Sequence, residues 1–96
     1  MSEIVRIKSV DPVMFGIVKI VWLDGYEGIV DLRPVVEDGE IFAFLRNAPA
    51  RFHDVKLEEF CHSIYWRDDE DEEIDFGADS LRRRAERQAE ILRLAS

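Results

Sequence analysis

The sequence predicts an α+β domain: a small antiparallel sheet of about five strands in hairpin or meander order, a short helix, and a longer C-terminal helix. Three observations predict it. The stretch from Phe15 to Pro34 sets Val, Ile, Trp and Tyr around Asp24-Gly25. Two later apolar runs, around Phe52 and around Tyr65, are short and separated by polar residues. The last segment repeats apolar residues at helical spacing from Leu81 to Leu92.

Asp24-Gly25 supplies residues that tolerate positive φ, as the turns matching strand twist require. The flanks are β-branched and aromatic, which suits a pleated surface. Ile17, Val21 and Leu23 point one way and Val18, Ile20 and Trp22 the other, with only Lys19 interrupting. That pattern predicts a central strand covered on both faces. Gly28 reads as a bulge or as one end of a longer turn. Pro34 cannot donate to a ladder, so the strand with Ile29, Val30 and Leu32 ends before it.

Ahead of this stretch, residues 3–10 predict a first strand with Val5, Ile7 and Val10 inward, and Asp11-Pro12 a turn. Beyond Pro34, Val35 to Asp38 reads as a single turn closed by Gly39. Glu40 to Arg46, with Ile41, Phe42, Phe44 and Leu45, predicts a short helix on the sheet, broken by Asn47-Ala48-Pro49. Phe52 to Leu57 and His62 to Trp66 predict a second hairpin across Glu58 to Cys61. From Asp68 to Asp75, seven of eight residues are acidic. Charge this dense repels itself, which predicts a solvated loop. Asp79 or Ser80 caps a helix running to about Leu94. Its stripe of Leu81, Ala85, Gln88 or Ala89, and Leu92 suits either the sheet or a second helix.

The 96 residues make one domain, with residues 1–77 as the body, 68–75 its acidic loop, and 78–96 its C-terminal helix. No apolar run approaches the roughly 20 residues of a membrane span, and Ser2-Glu3 is unlike the charged start of a signal peptide. Cys61 is the sole cysteine, so no internal disulfide forms. Together these features predict the reducing cytoplasm and no membrane contact. The net charge of −8 argues against general nucleic-acid binding, which needs clustered Lys and Arg. The charge is uneven, however. Residues 1–77 hold 8 Lys or Arg against 18 Asp or Glu, whereas residues 78–96 hold five Arg against three acids.

No assembled catalytic or cofactor constellation stands out. Cys61 and His62 are strand neighbours pointing to opposite faces, a poor arrangement for nucleophile and base. His53 could approach Cys61 across the second hairpin, but no orienting third residue follows. A structural thiol is the simpler reading. Cys61, His62 and His53 also lack the paired ligand spacing of zinc sites. Asp68, Asp69 and Asp71 resemble a fragment of a calcium loop without its glycine or its terminal bidentate Glu. No metal or cofactor is therefore expected.

Trp22 and Trp66 read as core, although an exposed tryptophan makes a strong partner contact. Arg82-Arg83-Arg84 with Arg87 is the most suggestive feature. Arg83 and Arg87 lie one turn apart, and Arg82 can pair with Glu86. The plain reading is a solvated helix balancing the acidic loop. The functional one is docking onto an acidic protein or nucleic-acid surface, although one helix is a weak basis for sequence-specific DNA reading. The candidate partner-binding residues are Arg83, Arg84, Arg87, Leu92 and Trp66. A ligand site using Asp31 and His53 has the least support.

Several motifs together resemble the bacterial family known as domain of unknown function 2442. They are Leu23-Asp24-Gly25, then Gly28-Ile29-Val30-Asp31-Leu32 before Pro34, and Gly39 with Phe42 and Leu45. Phe52 with Val55 follows, then Ile64-Tyr65-Trp66, Ile74-Asp75 and Asp79-Ser80-Leu81. The resemblance covers most of residues 4–81. It implies a compact α+β domain on antiparallel strands with no established activity. Members look like stand-alone proteins or N-terminal modules ahead of a helix-turn-helix domain, some in toxin–antitoxin-like pairs. This chain departs from the pattern where an acidic run at Arg67 to Glu73 replaces the usual Pro-Asn-Gly turn. Its C-terminal segment also supplies one helix rather than a DNA-binding module.

The sequence therefore predicts a non-enzymatic interaction domain working through charged surfaces. Its partner would be another protein, or a second copy docked through residues 81–95. The alternative is an antitoxin-like or transcription-regulatory subunit that contacts DNA directly or through a partner.

Overall fold

A computed structural model describes residues 5–95. Glu3 and Ile4, which begin the expected first strand, and Ser96 lie outside the described residues. The fold is α+β, with six strands among the described residues, in two three-stranded antiparallel sheets. The first sheet runs β1 (Ile7–Met14), β2 (Ile17–Trp22), β3 (Glu27–Asp31), in that order. The second runs β4 (Lys56–Leu57), β5 (Ser63–Arg67), β6 (Glu73–Gly77). Helices α1 (Arg33–Val36) and α2 (Ala43–Asn47) link the sheets, and α3 (Ala78–Ala95) closes the chain. The sheets meet where the Ile7 amide donates to the Cys61 carbonyl at 2.8 Å.

The central hairpin forms as its sequence dictates. Gly25 takes φ +92°, and the Asp24 carboxylate accepts the Tyr26 amide at 3.1 Å, fixing the turn. The turn between β1 and β2 falls elsewhere than expected. Asp11 and Pro12 lie inside β1, opposite Lys19 and Val18, and the chain reverses at Phe15-Gly16. Gly16 has φ +83°, a conformation glycine adopts at no steric cost. Pro12 is admissible because β1 is an edge strand, and the register shifts beside it.

Strand β2 is central but not covered on both faces. Val18, Ile20 and Trp22 are buried, while Lys19 and Leu23 on the other face are exposed. Helix α3 packs on the first of these faces. Gly28 marks that crossing: it lies within β3 opposite Ile20, neither bulge nor turn. A Cβ there would stand 2.9 Å from the Ala85 Cβ, so only glycine lets the helix this close.

One apolar cluster joins both sheets to the helices, with Trp22, Leu32, Leu45, Phe52, Ile64 and Leu81 all buried within it. Phe42 stacks on Phe76 at 5.5 Å, and Phe52 tilts against Trp66 at 5.2 Å. Arg46 donates to the Val36 and Gly39 carbonyls, satisfying backbone left open where α1 ends.

Two expected elements change form. Residues 52–54 belong to a 3-10 turn, Pro49–Asp54, leaving only Lys56 and Leu57 as strand. Phe52 and Val55 point to the core at a spacing of three, the 3-10 repeat, rather than the strand period of two. The acidic run is not one solvated loop either. Asp68 accepts the Glu70 and Glu72 amides, both at 2.9 Å, making a tight turn. Glu73 and Asp75 then become outward residues of β6, while Ile74 and Phe76 pack inward.

Candidate partner-binding groove

Helix α3 starts where the Ala78 amide donates to the His62 carbonyl at 2.7 Å. Leu81 and Ala85 are buried, and Gln88 is half-buried with its Oε1 accepting the Asp31 amide at 3.3 Å. Beyond Gln88 the helix continues for about 10 Å with every described residue exposed. There Ile91, Leu92 and Leu94 are exposed at 56%, 63% and 76%. The expected stripe is therefore split: its first half is core and its second half has no cover among the described residues.

Arg82 holds the helix to the hairpin. Its guanidinium lies 4.0 Å from the Tyr26 ring centroid and pairs with Asp24 at 2.9 Å and Glu86 at 3.2 Å. The backbone N–H of Tyr26, then this guanidinium, hold the Asp24 carboxyl below the usual Asp range.

The other arginines face outward. Between α3 and the end of β3 runs an open groove of about 900 Å³, lined by Asp31, Pro34, Arg83, Arg84, Arg87, Gln88, Ile91 and Leu92. Arg83 approaches Asp79 only loosely, at 3.8 Å between exposed side chains. Among the described residues, Arg84 and Arg87 make no ion pair. Among the described residues of the rim the one carboxylate, Asp31, is engaged by Arg33 at 2.8 and 2.9 Å, which lowers the Asp31 pKa. The groove is therefore electropositive with an apolar end.

Four of the five expected residues, Arg83, Arg84, Arg87 and Leu92, line this groove together. Trp66 does not join them. It is 2% exposed and its indole N–H donates to the Phe52 carbonyl at 2.9 Å, so it serves the core rather than a partner. Trp22 is likewise buried, donating to the Ala78 carbonyl at 3.2 Å. The sequence reading missed Pro34, Gln88 and Ile91 as members of the groove. The i, i+4, i+7 spacing of Arg84, Gln88 and Ile91 is the signal that marks one helix face.

A smaller hollow beside Phe44 and Tyr65 is lined by Arg51 and Arg67. Arg51 bonds Asp69 and the Arg67 carbonyl, and Arg67 approaches Asp71 at 3.9 Å. Cys61 sits in the β4–β5 turn with φ +65°, half-buried, and its carbonyl ties the two sheets. His53 lies in the 3-10 turn and does not line the groove that contains Asp31. Among the described residues, no three His, Cys, Asp or Glu side chains gather as metal ligands, and no helix is long and apolar enough to cross a membrane.

Comparison with family models, with curated proteins and with solved structures finds no match to this chain.

Proposed function

We propose that this chain is a non-enzymatic interaction domain, with the outer half of α3 and its groove as the contact surface. One observation carries the reading: the outer half of α3 holds Ile91, Leu92 and Leu94 in solvent beside Arg84 and Arg87, whose guanidinia make no ion pair among the described residues. Exposed apolar residues grouped on one element signal an interface, where scattered ones do not. A cytoplasmic setting and kinship with domain of unknown function 2442 belong to the same proposal, on sequence grounds alone.

The antitoxin-like or DNA-regulatory alternative would use the same arginines. Against it, the body before α3 carries 18 acids to 8 bases and repels a phosphate backbone around the patch. The homodimer through residues 81–95 loses its simplest form too. Leu81 and Ala85 are spent on the core, and what remains exposed is shorter than two heptads.

A photo-crosslinking residue at Leu92 tests the surface. It is expected to capture a discrete protein adduct in cells, whereas one at Ile29, on the open sheet face, is not. Adducts at Ile29 alone would move the contact surface to the sheet.

A further inference from the structure

We infer that the groove takes an acidic amphipathic helix of a partner protein, a conclusion that rests on the outer half of α3 being a contact surface. The chemistry of the walls selects it. Arg84 and Arg87 offer guanidinia one turn apart that make no ion pair among the described residues, and Arg83 is only loosely held by Asp79. Carboxylates three or four residues apart on an incoming helix share that spacing and accept charge-assisted hydrogen bonds. Ile91 and Leu92, on the next turn, give the apolar seat that pure charge attraction would not need. A groove running beside a helix suits a second helix, whose ridges fill it at ordinary packing distance.

Other occupants fit less well. The chain's own acidic segment is a hairpin, not a helix, and Asp69 and Asp71 in it are engaged by Arg51 and Arg67. A second copy of α3 would bring its own arginines to an arginine-lined wall. Nucleic acid would leave Ile91 and Leu92 without apolar cover, since its outer surface is phosphate.

The test is selection of displayed random peptides of roughly 16 residues, about four helical turns, against the full chain. Binders are then compared on R84E/R87E and on L92D, each shown by circular dichroism and thermal melting to remain folded. The expected peptides are net acidic, with bulky apolar residues at helical spacing. Their binding weakens at least about tenfold on either variant and falls as salt rises. Variant-sensitive peptides that are neutral or basic, or that lack helical apolar spacing, overturn the acidic-helix inference and leave the contact surface standing. Binders indifferent to both variants overturn the inference and the surface together.

Discussion

Gly28 and Ala85 meet where α3 crosses β3, so closely that a side chain on Gly28 would stand 2.9 Å from the Ala85 methyl. Gly25, in the hairpin turn, has open space around it but φ +92°. The two glycines are needed for different reasons, packing in one case and backbone conformation in the other. Gly28→Ala is expected to destabilise the fold by about 1–3 kcal/mol through overpacking. Gly25→Ala is expected to cost about 1–2 kcal/mol as left-handed strain. In urea unfolding, Ala85→Gly should offset part of the Gly28→Ala loss and none of the Gly25→Ala loss. Equal behaviour of the two would refute the close crossing.

Acid should weaken the protein through Asp24 and Asp31. The Tyr26 backbone N–H and Arg82 lower the Asp24 pKa, and Arg33 lowers that of Asp31. Their folded pKa values thus lie below the unfolded value of about 3.9. The stabilisation is complete above that unfolded value and is lost as pH falls through the folded ones. Urea midpoints measured against pH should therefore drop below about pH 4, and D24N/D31N should flatten that acid limb. An unchanged limb in the double variant would assign acid sensitivity to other carboxylates.

The arginines of α3 should separate into two classes. Arg82 stacks on Tyr26, so Arg82→Ala is expected to lose about 1 kcal/mol from that contact alone. Arg84→Ala and Arg87→Ala should stay within about 0.5 kcal/mol of the parent, because both are exposed and make no ion pair among the described residues. Thermal melts decide it. A large loss at Arg84 or Arg87 would show that they serve the fold.

Shortening the chain should expose the same boundary. A chain ending at Ala89 keeps Leu81, Ala85 and Gln88 and is expected to fold, with a far-ultraviolet spectrum lacking only the last helical turns. One ending at Asp79 loses buried Leu81 and Ala85 and is expected to unfold, since a buried leucine alone is worth roughly 2–5 kcal/mol. Cooperative unfolding of the shorter chain would mean that α3 is an appendage.

The hairpin around Asp24-Gly25 was legible because its turn chemistry and its strand pattern agree. The β1–β2 turn was not. Asp11-Pro12 is the stronger local turn signal, and only the edge position of β1 lets proline remain in a strand. Likewise β6 was hidden because seven acids masked the alternation of Ile74 and Phe76, which becomes decisive once β5 lies alongside. The arginine face of α3 could be read from spacing. Its opposing wall could not, because Asp31 and Pro34 precede the helix by more than forty residues and periodicity does not say where a body stops supporting a helix.

Pro12 in β1 and the carboxylates of Glu73 and Asp75 on β6 sit on outermost strands of the two sheets. A newcomer strand would find a missing donor and shifted register at one border and dense negative charge at the other. Both borders discourage the chain from templating its own aggregation. Fibril growth from these two edges should then be slow, and replacing Glu73 and Asp75 with threonine should remove that protection at β6.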